Sequence, residues 1–108
     1  MSLSTHVLDA TSGTPAAGVA VSVESRSRDA WHLVERATTN ADGRVNDLGD
    51  PGPGVHRLTF DTAGYFGRLD VQAFYPEVTV TFEVTDPDAH HHVPLLLSPF
   101  AYSTYRGS

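Results

Sequence analysis

The residues best suited to chemistry crowd one stretch: His90-His91-His92, the apolar run Val93-Pro94-Leu95-Leu96-Leu97, the turn Ser98-Pro99, and Tyr102 to Ser108. Val93 to Leu97 reads as a buried strand, Ser98-Pro99 as a turn and Tyr102 to Tyr105 as a second strand. Strand side chains alternate between faces, so His90 and His92 share one face and His91 takes the other. Two such imidazoles lie roughly 7 Å apart at the backbone and converge on one water, metal or small ligand. Pro94 offers no N–H to a ladder, which marks an edge or an irregularity beside them. The plainer reading is a solvent-exposed histidine cluster at the start of a strand.

Five further residues have matching chemistry: His6 on the first strand, Arg44 after Asp42-Gly43, and Tyr105, Arg106 and Ser108 near the terminal carboxylate. Histidine transfers protons near neutral pH, and arginine holds an oxyanion without losing its charge. Histidine pairs with an arginine suit attack of water on a carbonyl or amide with no covalent intermediate. His6, His90 and His92 would equally serve as three zinc ligands with an open fourth position. No G-x-S-x-G elbow, phosphate-binding glycine loop or H-E-x-x-H motif occurs. His32 and His56 read as ordinary strand residues. Arg26, Arg28, Arg36, Arg57 and Arg68 read as solvated surface, and Trp31 and Phe66 as core or packing residues rather than stacking platforms.

The elements that must position these groups are short strands. Thr5 to Ala10 is the first. Val19 to Ser25 alternates, with Val19, Val21 and Val23 on one side. Trp31 to Thr38 follows, and Asp42-Gly43 then signals a tight turn that presents Arg44. A Pro/Gly loop spans residues 49 to 54. Val55 to Asp61 places His56, Leu58 and Phe60 on one face. Residues 62 to 71 suggest a short helix capped by Asp61 or Thr62. Glu77 to Val84 alternates again, with Val78, Val80, Phe82 and Val84 inward. Seven or eight strands at about ten-residue spacing with one short helix predict an all-β antiparallel sandwich.

The 108 residues suffice for a single domain, residues 1–108. Seven basic and 13 acidic residues give a formal charge of −6, which argues against a nucleic-acid partner. The absence of an eighteen-residue apolar run argues against a membrane span. No cysteine is present, and the first residues have neither a charged nor an apolar signal region, so a reducing cytoplasm is the expected location.

The combination of Ser4-Thr5-His6-Val7-Leu8-Asp9, Asn40-Ala41-Asp42-Gly43-Arg44, His92-Val93-Pro94-Leu95-Leu96-Leu97-Ser98-Pro99 and Tyr105-Arg106-Gly107-Ser108 resembles the transthyretin-related 5-hydroxyisourate hydrolases. The likeness runs along essentially the whole chain. The terminal tetrapeptide is the part that separates these hydrolases from the hormone-carrying transthyretins of the same fold. His91 stands where tyrosine is common and Ala101 where glycine or serine is frequent.

The resemblance implies a transthyretin (prealbumin)-like sandwich assembled as a homotetramer around a central channel. It implies hydrolysis of 5-hydroxyisourate in urate breakdown, with no cofactor or metal. His6, Arg44 and His92 match the family's catalytic three. His90, Tyr105, Arg106, Gly107 and Ser108 match its substrate-binding positions. The rival expectation is a non-enzymatic carrier of small hydrophobic ligands in the same channel, whose pocket would be mostly apolar.

Overall fold

Valines at every second position drive the first sheet contact. Val21 and Val23 of β3 (Ala20–Ser27) are buried while their neighbours Ala20 and Ser22 are not. β3 lies between β4 (Ala30–Thr38) and β6 (Gly54–Phe60), and β7 (Val78–Val84) completes a four-stranded antiparallel sheet in the order β4-β3-β6-β7. The computed structural model describes residues 2–108.

The second sheet is built on β1 (Ser2–Asp9) and β8 (His90–Leu97), which run parallel from Ser2 beside His90 to Asp9 beside Leu97. β9 (Tyr102–Thr104) flanks β8. The free edge of β1 is shared by two short strands, β2 (Thr14–Pro15) at Leu8 and Asp9 and β5 (Arg44–Val45) at Thr5 and His6. The sandwich is therefore antiparallel except at its central β1–β8 pair. That pair is joined through the entire other sheet, so no hairpin constrains its direction. The Thr5 hydroxyl donates to the Val93 carbonyl at 2.6 Å and fixes this register from inside the core.

Leu3, Val7, Val93, Leu95 and Leu97 face the core from one sheet, and Val21, Val23, Leu58, Phe60 and Val78 from the other. Val80 and Phe82, expected fully inside, are only partly buried because β7 is an edge strand. Trp31 lies half-buried on the outer face, under the Arg57 guanidinium at 4.1 Å, and Arg57 is in turn paired with Glu24 at 2.8 Å. It is a stacking partner on the surface, where its β4 edge position leaves no core to enter. His56 is 2% exposed, with Nδ1 hydrogen-bonded to Ser25 at 2.7 Å and Nε2 donating to the Gly52 carbonyl at 2.6 Å. It ties the Pro/Gly loop to the sheet.

Helix α1 (Thr62–Arg68) starts where Asp61 accepts from the Gly64 N–H at 3.0 Å. Its Tyr65 hydroxyl donates to the buried Asp9 carboxylate at 2.8 Å, joining the helix to the end of β1. No helix among the described residues is long and apolar enough to cross a membrane.

Candidate active site

Alternation along β1 and β8 sets one face of the second sheet apart from the core. On that face Ser4 and His6 of β1 stand beside His92 and Pro94 of β8. His6 also faces Arg44 across the β1–β5 ladder. His6, Arg44 and His92 thus come together from a first strand, a turn and an eighth strand. His91 takes the opposite face and is buried, with Nδ1 donating to the Ala89 carbonyl at 3.0 Å.

The turn before Arg44 is held by one side chain. Asn40 Oδ1 accepts from the N–H groups of Asp42 at 2.9 Å and Arg44 at 3.1 Å. Gly43 has φ +73°, and its carbonyl accepts from the Val7 N–H at 2.7 Å, which clamps the turn to β1. Arg44 is exposed at the rim of the face.

Pro94 sits inside the sheet, between β1 and β9, so it does not mark an edge. The irregularity is real: β9 ends at Thr104, and pairing on that side resumes only as a bridge between His92 and Gly107. The Gly107 N–H donates to the His92 carbonyl at 2.8 Å. Tyr105 and Arg106 fall in the interruption. They line a groove of about 260 Å³ between the open edges of the two sheets, with Val80, Phe82, His91 and His92. Ser108 is exposed. A larger concavity of about 440 Å³ lies on the outer face of β3, β4 and β6, and neither hollow is lined by His6 or Arg44.

Two serines absent from the sequence-based candidates complete the cluster. Ser4 Oγ is hydrogen-bonded to His92 Nδ1 at 2.8 Å and to His90 Nε2 at 2.9 Å, and Ser2 Oγ is hydrogen-bonded to His90 Nδ1. The His90 and His92 rings stack at 6.5 Å with 17° between planes. Both His90 nitrogens are engaged by hydroxyls, so its ring face is what remains for a ligand. Among the described residues no three His, Cys, Asp or Glu side chains form a metal-ligand set. The signal for Ser2 and Ser4 was their i, i+2, i+4 spacing with His6, but it has meaning only once β1 is paired with β8.

The electrostatics favour neutral imidazoles. Burial, then the Arg44 cation, hold His92 below the ordinary 6.5, and His6 and His90 add to this against a smaller opposite pull at Ser4. Burial and then Arg44 lower His6 as well, against Asp42. An unprotonated imidazole accepts a proton from water, and the adjacent guanidinium steadies an oxyanion.

A two-sheet sandwich with a histidine–arginine face on its β1–β8–β5 surface defines a transthyretin-type domain whose exposed polar face is equipped for hydrolysis. Residues 3–107 match the model of the HIUase/Transthyretin family, and the chain belongs to that family. It is 41% identical to the 5-hydroxyisourate hydrolase of Salmonella dublin over 109 residues, covering 98% of this chain and 80% of that one. The structure of Klebsiella pneumoniae 5-hydroxyisourate hydrolase superposes with a TM-score of 0.88 at 35% identity, covering 100% of both chains. Sea bream transthyretin in complex with thyroxine superposes with a TM-score of 0.92 at 33% identity, over 99% of this chain and 95% of that one. Backbone similarity therefore does not separate the hydrolase from the thyroxine-bound transthyretin, and the side chains of the face must.

Proposed function

We propose that this chain is a single-domain hydrolase that opens 5-hydroxyisourate with water in urate catabolism. The observation that carries the reading is the juxtaposition of His6 with Arg44 across β1–β5 and of His92 one strand away, with both imidazoles kept neutral. One imidazole removes a proton from water, the water oxygen attacks a ring carbonyl, and Arg44 binds the oxygen that gains charge. His90, Tyr105, Arg106, Gly107 and Ser108 border this face and hold the substrate. A carrier of hydrophobic ligands would need a mainly apolar lining, and a face of three imidazoles, two hydroxyls and a guanidinium is the opposite.

The face is open on a single chain: Arg44, His90, Tyr105 and Ser108 are all exposed. Phe74, Phe100, Leu69 and Tyr102 are exposed as well, at 70%, 65%, 54% and 42%. Phe74 and Tyr102 both pack edge-on against Tyr75. Such apolar surface and the open edges of the two sheets favour self-association. A cytoplasmic homotetramer that closes the polar face against another copy accounts for both. Sedimentation of the purified chain should give a tetramer, and a monomer at working concentration would overturn this part.

The test of function is the decay of 5-hydroxyisourate, generated in place from urate, with and without the protein. Acceleration over the spontaneous rate, abolished in His92→Asn, is the expected result. An unaccelerated decay with folded, tetrameric protein would overturn the hydrolase reading and favour the carrier.

A further inference from the structure

We infer that His92, Ser4, His90 and Ser2 form a proton wire from the imidazole face to the solvent, with Ser4 as the residue that sets the tautomer of His92. The inference rests on the hydrolase reading and adds a route for the proton. The links are consecutive: His92 Nδ1 to Ser4 Oγ at 2.8 Å, Ser4 Oγ to His90 Nε2 at 2.9 Å, and His90 Nδ1 to Ser2 Oγ. Ser4 is 7% exposed, whereas His90 is exposed. The wire therefore runs from the half-buried His92 through the buried Ser4 to the exposed His90. The parallel β1–β8 register produces it, because Ser2 lies beside His90 and Ser4 beside His92.

A hydroxyl carries one proton and two lone pairs, and a neutral imidazole carries one N–H and one bare nitrogen. Two proton orders run continuously in one direction through all three links; a third, with Ser4 accepting from both rings, leaves the Ser4 hydroxyl proton outside the chain and breaks the relay. In the first, His92 Nδ1–H donates to Ser4, Ser4 to His90 Nε2, and His90 Nδ1–H to Ser2. His92 Nε2 is bare and acts as a base. In the second, every link is reversed, Ser2 donates inward, and His92 carries its proton on Nε2 as an acid.

One turnover uses both orders. As the water oxygen bonds to the ring carbonyl carbon, its proton passes to His92 Nε2. The His92 Nδ1 proton passes to Ser4, the Ser4 proton to His90 Nε2, the His90 Nδ1 proton to Ser2, and the Ser2 hydroxyl proton to solvent. The wire is now in the second order. When the ring C–N bond breaks, His92 Nε2–H protonates the departing nitrogen and the chain reverses, taking one proton in at Ser2. The carboxylic acid formed ionises at neutral pH. The sum is one water consumed and one proton released.

The experiment compares wild type with Ser4→Ala, Ser4→Thr and His90→Gln. In ligand-free protein with 15N-labelled histidine, the nitrogen shifts of His92 report its tautomer. Ser4→Ala should change the balance and Ser4→Thr should restore it. With substrate, Ser4→Ala and His90→Gln should each lower kcat about 10- to 100-fold, within the range of general acid–base assistance, with KM changed less than about twofold in Ser4→Ala, which does not touch the substrate. Added imidazole should recover part of the loss. The rate in H₂O–D₂O mixtures should fall along a curve in wild type and along a line in Ser4→Ala.

An unaltered His92 tautomer in Ser4→Ala would overturn the wire, as would full kcat in His90→Gln. Failure of wild type to hydrolyse the substrate would overturn the hydrolase reading instead, and the nitrogen shifts would still report the state of the chain.

Discussion

Gly107 lies directly against the His92 ring: a methyl group on its α-carbon would come within 2.5 Å of His92 Cδ2. The contact explains why a residue without a side chain stands here, since its N–H also bonds the His92 carbonyl. Gly107→Ala should push the ring off its hydrogen bond to Ser4 while the core, which lies on the other face, remains intact. We expect kcat to fall at least about tenfold with little change in melting temperature. Parallel kinetic and thermal measurements check this, and a fully active Gly107→Ala would show that the ring position is immaterial.

The histidine environments set the pH dependence. Both His6 and His92 lie below the ordinary 6.5, through burial first and Arg44 second. A base that must be neutral then keeps working below pH 6.5, so the acid limb of kcat/KM should have its midpoint below that value. Removing the cation in Arg44→Ala should raise both histidines and move the limb to higher pH, besides lowering the rate. For stability the sign is also fixed. Between the folded values and 6.5 the unfolded chain binds more protons, so stability rises with pH through that window and is not affected by these two groups above it. Rate profiles and denaturant titrations over the acid range test both statements.

Gly43 is confined twice, by its φ of +73° and by the Val7 carbonyl oxygen, which an added Cβ would approach to 2.4 Å. Gly43→Ala should detach the β5 turn from β1. A loss of about 1–3 kcal/mol is expected from the strained backbone, together with reduced activity because Arg44 is displaced. Gly13, with φ +72° and open space around its α-carbon, is the control. Its alanine variant should show backbone strain without the kinetic defect.

Tyr65 and Asp9 form the buried link between α1 and β1. Burial, then the hydrogen bond to Asp9, push the phenol up to about 12, so it keeps its proton and donates throughout the neutral range. Tyr65→Phe leaves a buried carboxylate oxygen without that donor, and should cost about 1–3 kcal/mol. Because the link lies at the far end of β1 from Ser2, kcat should stay close to wild type. Chemical denaturation and steady-state assays separate the two effects.

What the sequence made legible was local. Alternation placed His90 and His92 on one face and His91 on the other, and the burial of His91 agrees. Asp42-Gly43 marked the turn, and Asp61 the helix cap. The pairing of β1 with β8 was not legible, because no local pattern records which distant strand a segment will lie beside. Ser2 and Ser4 were missed for that reason, their partners being 86 to 88 positions away. Trp31 was misplaced because an aromatic residue packs under an arginine on an outer face as readily as it enters a core.

The parallel β1–β8 pair has a consequence for biosynthesis. β1 leaves the ribosome ahead of the other strands, yet the strand that covers its longer flank is made only after the whole β3–β4–β6–β7 sheet has emerged. At translation rates of about 5–20 residues per second, β1 waits on the order of ten seconds for β8. During that time it is an apolar strand with an open side, a natural client for chaperones and a hazard for pairing with another nascent chain. The same delay leaves a half-made chain without its histidine pair, since His6 acquires His92 only once β8 has been made.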